Sequence, residues 1–204
     1  MREMRIMIPP VVPALFAALA CTTPLSALAA TAAPLPDCAK FVGSVDEVVC
    51  KDGALATLDA KLVDVYTAAS KAATPEQKNR LAADQQQWLT TREACNKATD
   101  RIGCVKERYT RRTADLQAQF KLVASRGPFR FTCNDAQGGM LIAQYFETDP
   151  PSARFSFDGR TVTAFIARSG SGARYDGPSV SYWEHQGEAM VVWFGRSMKC
   201  ATHS

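Results

Sequence analysis

Apolar positions recur at helical spacing in the first half of this chain and alternate in the second. Leu55, Leu58, Leu62, Val65 and Ala69 fall three or four residues apart, which lays one apolar stripe along a helix. Ahead of it, Ser44-x-x-Glu47 reads as a capping box and Asp52-Gly53 as a break. Thr74-Pro75-Glu76-Gln77 is a stronger start signal, with a cap, a proline at the first helical position and a glutamine at the reciprocal one. Leu81, Trp88 and Cys95 then repeat every seventh residue and predict a long helix with one apolar seam. From Cys104 onward, Val105, Tyr109, Leu116 and Phe120 outline a third long element, ended by Arg126-Gly127-Pro128. A compact helical bundle follows.

Beyond Gly127-Pro128 the period changes. Phe129, Phe131 and Cys133 share one face. Ala153, Phe155 and Phe157 alternate with Arg154 and Ser156 up to Asp158-Gly159, a strong hairpin signal, and Arg160 to Ala167 returns. Ser169 to Gly172 reads as a turn-forming loop that presents Arg174 and Tyr175, and Asp176-Gly177-Pro178 turns the chain back. Val180 to Trp183 predicts a strand with His185 just past its end, and Glu188 to Phe194 pairs with it through Gln186-Gly187. With no helical interruption, this spacing predicts a small antiparallel barrel or sandwich of about 75 residues. The fold class expected is α+β in two domains, a disulfide-stapled helical bundle and then a small antiparallel β-barrel.

The 204 residues are 47% hydrophobic, enough for one large or two small domains and too apolar for disorder throughout. Seven cysteines supply staples. Cys38, Cys50, Cys95, Cys104, Cys133 and Cys200 form an even set, and Cys21 sits apart in an N-terminal apolar stretch. Short separations favour Cys38–Cys50 and Cys95–Cys104, each worth about 3 kcal/mol by chain entropy, although four cysteines allow three pairings. Cys133 and Cys200 would close nearly the whole β part, for roughly 4 kcal/mol. With no CxxC spacing and two histidines, a structural metal is a distant second reading.

Arg2 and Arg5 precede an apolar run from Ile6 to Ala20, and Ala27-Leu28-Ala29 follows, the layout of a secretory signal. Its prolines and short length argue against a membrane-spanning helix. Cleavage near Ala29 gives a signal of residues 1–29. The alternative is 1–20, because Ala18-Leu19-Ala20-Cys21 also resembles a bacterial lipobox that would lipidate Cys21. Either route leads to an oxidising compartment, the periplasm, in soluble or outer-membrane-anchored form.

Charge narrows the partners. Residues 37–127 hold 15 basic and 12 acidic residues, whereas 128–204 hold seven of each. A neutral β part recognises by shape and a few local groups rather than by long-range steering. No basic stripe with interleaved aromatics appears, so nucleic acid is not an expected partner. No cofactor and no catalytic residue are expected. Ser171, Asp176 and His185 have the residue types of a nucleophile triad, but no GxSxG elbow surrounds Ser171, which argues against a hydrolase. Trp88 and Arg92 share a helical face, better read as core and its partner than as a binding spot. His203 reads as a tail residue.

Two resemblances organise these residues. Ser171-Gly172-Ala173-Arg174-Tyr175, Tyr182-Trp183, Glu188-Ala189 and Cys200 resemble the MliC family, membrane-bound inhibitors of c-type lysozyme with an SGxxY motif and a later aromatic-Trp-x-Lys-Gly turn. In that family the motif serine and lysine enter the lysozyme cleft. Here His185 stands in the lysine's place, fourteen positions after Ser171, and Gln186 stands where the family has glycine. The resemblance implies a barrel closed by Cys133–Cys200 and lysozyme contacts at Ser171, Gly172, Arg174, Tyr175, Tyr182, Trp183 and His185. Tyr175 and Trp183 read equally well as packing at the loop base.

Asp37-Cys38, Glu47-x-x-Cys50, Leu58-Asp59, Tyr66, Gln85-x-x-Trp88-Leu89-x-x-Arg92-x-x-Cys95, Cys104 and Tyr109 are similar to the LprI-type N-terminal domain. The organisation expected is thus an LprI-like domain over 37–123, a linker over 124–130 and an MliC-like barrel over 131–204. The expected function is inhibition of a c-type lysozyme, with a non-inhibitory envelope-binding or scaffold module as the alternative. Below about pH 6.5 a histidine in the lysine's place would carry charge, so pH-dependent inhibition is expected.

Overall fold

A computed structural model describes residues 38–134 and 139–202. The expected signal segment with Cys21 lies outside the described residues, as do Asp37 and His203. Among the described residues four α-helices come first: α1 (Val45–Lys51), α2 (Gly53–Ala72), α3 (Pro75–Arg92) and α4 (Arg101–Gln119). Eight strands follow: β1 (Ser125–Cys133), β2 (Met140–Phe146), β3 (Ser152–Phe157), β4 (Arg160–Ala167), β5 (Ala173–Gly177), β6 (Val180–His185), β7 (Glu188–Trp193) and β8 (Arg196–Thr202). No helix among the described residues is long and apolar enough to cross a membrane.

The helix starts follow their capping chemistry. Thr74 and Gln77 close a reciprocal box at α3: Gln77 N–H donates to Thr74 Oγ1 and Thr74 N–H to Gln77 Oε1. Asp52 accepts from Ala54 N and Leu55 N, so the break expected there is also the cap of α2. The box expected at Ser44 does not close. Ser44 Oγ donates to Phe41 O, and Glu47 accepts instead from Gly43 N.

The seam expected to run to Cys95 is split, with α3 ending at Arg92 and Cys95 in a 3-10 turn, Glu93–Lys97. α4 ends earlier than the Gly127-Pro128 signal predicts. Leu122 N–H bonds Gln117 O, and Lys121 N–H bonds Ala118 O with Lys121 at φ 53°. This is a Schellman cap with lysine in the left-handed position that glycine usually fills.

The stripe residues Leu55, Leu62, Ala69, Leu81, Val105, Tyr109 and Leu116 form the helical core, as the periodicity predicts. A polar knot crosses it. Arg92, 5% exposed, donates to Tyr109 Oη of α4 and to Asp46 of α1. Its guanidinium lies over the Trp88 and Tyr109 rings, 5.5 and 5.7 Å from their centroids. Burial raises the Tyr109 phenol pKa, against the lowering pull of Arg92. Three helices are thereby tied through one cation. Cys38–Cys50 and Cys95–Cys104 staple the same core where the start of α1 meets the 3-10 turn, Val45 N–H donating to Glu93 and Asn96 Nδ2 to Gly43 O.

The strands form a closed antiparallel barrel in chain order, β1 through β8, with β8 returning to β1. The seam is short. Among the described residues only Phe131, Thr132 and Cys133 pair with Thr202, Ala201 and Cys200, and the Cys133–Cys200 disulfide joins directly opposed residues across it. Aromatic rings fill the interior, with Phe155 stacked on Tyr182 at 4.4 Å and edge-on to Tyr145 and Tyr175. The expected linker over 124–130 is mostly strand. β1 begins at Ser125, and Glu147 N–H already bonds Ala124 O. Phe129 keeps the Phe131 face, opposite buried Ala143 and 5.8 Å from the Tyr145 ring, but next to the register shift between Arg126 and Phe129 it stays 45% exposed.

Candidate functional site

The sequence places Ser171 before β5 and His185 at the end of β6, and antiparallel pairing decides whether they meet. Ala173 lies opposite Glu184, so the chain just before β5 and the end of β6 emerge at the same rim of the barrel. His185 belongs to β6 itself rather than to the following turn, because the strand runs two residues beyond its expected end at Trp183. β5 also corrects it. Arg174 and Tyr175 lie in a strand, and the presented loop is only Arg168–Gly172.

Gly172 is the joint between the two segments. It has φ +67°, and a Cβ there would stand 2.0 Å from Glu184 O and 3.2 Å from the His185 Cβ. Only glycine admits both that backbone conformation and that approach. The other side of the loop is held by its carbonyl: Trp183 Nε1 donates to Ser171 O at 2.8 Å, and Ser169 Oγ donates to the same oxygen. Ser171 and His185 are both exposed on this braced rim.

The β6–β7 connection is equally tight. Gln186 and Gly187 have φ values of 54° and 82°, the two-residue hairpin geometry with both central residues left-handed. Glu184 Oε1 accepts from Gly187 N at 2.9 Å and closes the turn from inside the rim. The Trp183 and His185 rings lie on one side of β6, 6.4 Å apart and 17° from parallel. Trp183, 39% exposed, pairs across the sheet with exposed Met190, so an apolar patch lies to one side of the imidazole, while His185 itself pairs with Glu188.

The remaining expected contacts divide. Tyr182 is fully buried in the barrel core, accepting from the Tyr145 hydroxyl at 3.0 Å, and Tyr175 is nearly as buried. Inward strand positions hold both rings, so they shape the barrel and have little surface to offer a partner, which corrects their assignment as contacts. Burial raises the Tyr175 phenol pKa, and burial pushes that of Tyr145 up to about 12. Arg174 braces the strand through Asp176 at 3.2 Å.

A groove of about 420 Å³ runs beside the loop, lined by Arg168, Ser169, Gly170, Arg174, Trp183 and Met190 among others. Arg168 was not singled out from the sequence. Its only signal there is a cation immediately ahead of the small-residue loop. Asp176 lies in β5 and pairs with Arg174, so no triad forms with Ser171 and His185.

Comparison with known proteins agrees with this architecture. Residues 38–116 match the family described as lysozyme inhibitor LprI, and residues 131–199 match membrane-bound lysozyme-inhibitor of c-type lysozyme. Lipoprotein LprI of Mycobacterium bovis and of two Mycobacterium tuberculosis strains is 34% identical over 186 residues, 91% of this chain and 92% of the relative. The order of domains, the closed barrel and the full-length similarity place this chain in the LprI family of lysozyme inhibitors, an LprI domain followed by an MliC domain.

Proposed function

We propose that this chain is a non-catalytic cell-envelope inhibitor of c-type lysozyme that lays the Ser171 loop and the His185 rim into the enzyme's active-site cleft. The observation that carries the reading is the Gly172 joint. It fixes a hydroxyl-bearing loop against an imidazole-bearing strand end, both exposed and both braced by hydrogen bonds.

A c-type lysozyme works with one protonated and one ionised carboxyl group. A rigid rim offering a hydroxyl and an imidazole suits that pair, because little conformational freedom is lost on binding and each polar group finds a partner. Trp183 and Met190 cover apolar cleft surface, and Arg168 adds a permanent cation beside the loop. Tyr175 and Tyr182 act from beneath by holding β5 against β6. Delivery through the N-terminal signal, soluble in the periplasm or anchored through Cys21, is part of the same reading, and the lipoprotein relatives support it.

The pH dependence provides the test. Inhibition constants for a c-type lysozyme are measured from about pH 5 to pH 8, the range in which imidazoles change charge. The expected result is tighter inhibition on the acid side and a flat profile in His185→Ala. Equal inhibition across the range in the unaltered chain would take the imidazole charge out of the mechanism. Binding without loss of lysozyme activity would instead favour a non-inhibitory envelope module.

A further inference from the structure

A cluster of arginines lies at the other end of the barrel, where α4 packs on β3 and β4. Arg108, Arg111, Arg112 and Asp115 follow one another at helical spacing, so α4 shows them on one face. With Arg154 of β3 they line a cavity of about 500 Å³, walled on its apolar side by Trp88, Phe165 and Phe194. The β5–β6 turn, through Pro178 and Ser179, also borders it, at the opposite end of that hairpin from Ser171 and His185.

The hydrogen bonds of this cluster are incomplete in a specific way. Arg112, 8% exposed, donates through Nε to Gln85 Oε1 at 3.1 Å and through Nη1 to Asp115 Oδ2 at 3.2 Å, but its buried Nη2 has no partner among the described residues. Arg154 donates through Nη1 to Gln119 O, the last carbonyl of α4, at 3.0 Å, and its buried Nε is likewise unpartnered. Arg111 pairs with Glu107 at 2.8 Å and lies over the Phe165 ring, 5.1 Å from its centroid. Four guanidinium groups thus face one lining carboxylate, Asp115.

A buried donor on a charged group is costly to leave unpaired, and Arg112 and Arg154 each hold one such donor, covered from solvent, in the wall of the same cavity, so both guanidinium groups keep hydrogen-bonding capacity for an acceptor that enters it. Guanidinium forks match planar carboxylate and tetrahedral phosphate oxygens, and a half-enclosed cavity of this size suits a small molecule. The aromatic wall suits a ring carried by the same molecule.

We propose that this cavity binds a small ring-bearing oxyanion, a carboxylate or a phosphate monoester, with Arg112 and Arg154 as its anchors. The test is calorimetric titration of the full chain with phenyl phosphate, benzoate and inorganic phosphate, at an ionic strength held constant with sodium chloride. The expected result is saturable binding of phenyl phosphate, benzoate or both. The probe that binds identifies the head group, and inorganic phosphate binds more weakly than phenyl phosphate because it leaves the aromatic wall uncovered.

Arg154→Met should weaken binding at least tenfold. Arg112→Lys should do the same, because it keeps the charge and loses the fork. Arg108→Gln, an exposed change, gives a fold-neutral check with an expected loss of severalfold. Absence of saturable binding by both ring-bearing probes would overturn the proposal. So would binding that Arg154→Met and Arg108→Gln leave unchanged in chains whose circular dichroism matches the unaltered protein.

Discussion

The two ends of the barrel use their polar groups in opposite ways. At the Ser171–His185 rim the side chains are exposed, and the structure spends its hydrogen bonds on the backbone beneath them: Trp183 and Ser169 on the Ser171 carbonyl, Glu184 on the Gly187 amide. At the α4 junction the backbone is already paired within a helix and strands, and side-chain donors of Arg112 and Arg154 remain unmet. A rim of this kind recognises a large partner through shape and rigidity. A cavity of this kind recognises a small group through charge and completed hydrogen bonds. Substitutions should therefore affect the rim through geometry and the junction through chemistry.

The largest expected effect removes a cation on which the helical side depends. Arg92→Ala leaves half-exposed Asp46 and the buried Tyr109 hydroxyl without their shared donor and should cost about 2–3 kcal/mol, read as a lowered urea midpoint. A loss below about 1 kcal/mol would show that the knot contributes no more than a surface pair.

Gly172→Ala should cost about 1–2 kcal/mol of stability, because its Cβ collides with Glu184 O in a left-handed backbone. Its functional effect should be of comparable size, at least a tenfold rise in the lysozyme inhibition constant, equivalent to about 1.4 kcal/mol. Unchanged inhibition would break the claim that the rim works through rigidity.

Tyr145→Phe removes one internal hydrogen bond and should cost about 1 kcal/mol. The unaltered barrel should also be base-labile. Burial pushes the Tyr145 pKa up to about 12, so above pH 10 the unfolded chain sheds a proton that the folded chain keeps. Stability is then full below pH 10 and falls as pH rises toward 12. Near-ultraviolet circular dichroism against pH reads this, and a stability that rises over that range would contradict it. The smallest effect belongs to the exposed pair Lys199–Glu188 at 2.8 Å, where Lys199→Ala should change stability by less than about 1 kcal/mol in the same urea titration.

Legibility in the sequence also differed between the two regions. The helices are legible because each apolar stripe keeps one period and Thr74 announces α3 with a box that closes, whereas Ser44 does not cap α1 and Asp52, legible as a break, is the cap of α2. The end of α4 is not, since Lys121 takes the left-handed position without the glycine that normally announces it. In the barrel, β3 and β4 alternate visibly around Asp158-Gly159. β2 is not legible because Met140–Phe146 is apolar on neighbouring positions, nor is β5, because flanking glycines make a strand look like a loop.

The rim was foreseeable from the spacing of Ser171 and His185, which the β5–β6 ladder converts into proximity. The arginine cavity was not, because no local motif links Arg112 of α4 to Arg154 of β3. Only the packing of helix on barrel brings them together.

The most direct measurement is a titration of c-type lysozyme activity with the unaltered chain and with the double variant Ser171→Ala, His185→Ala. Loss of lysozyme activity with the first, and an inhibition constant at least a hundredfold weaker with an equally folded second, is the result expected of a plug built on this rim. Equal inhibition by both chains would place the contact elsewhere on the molecule and contradict the account.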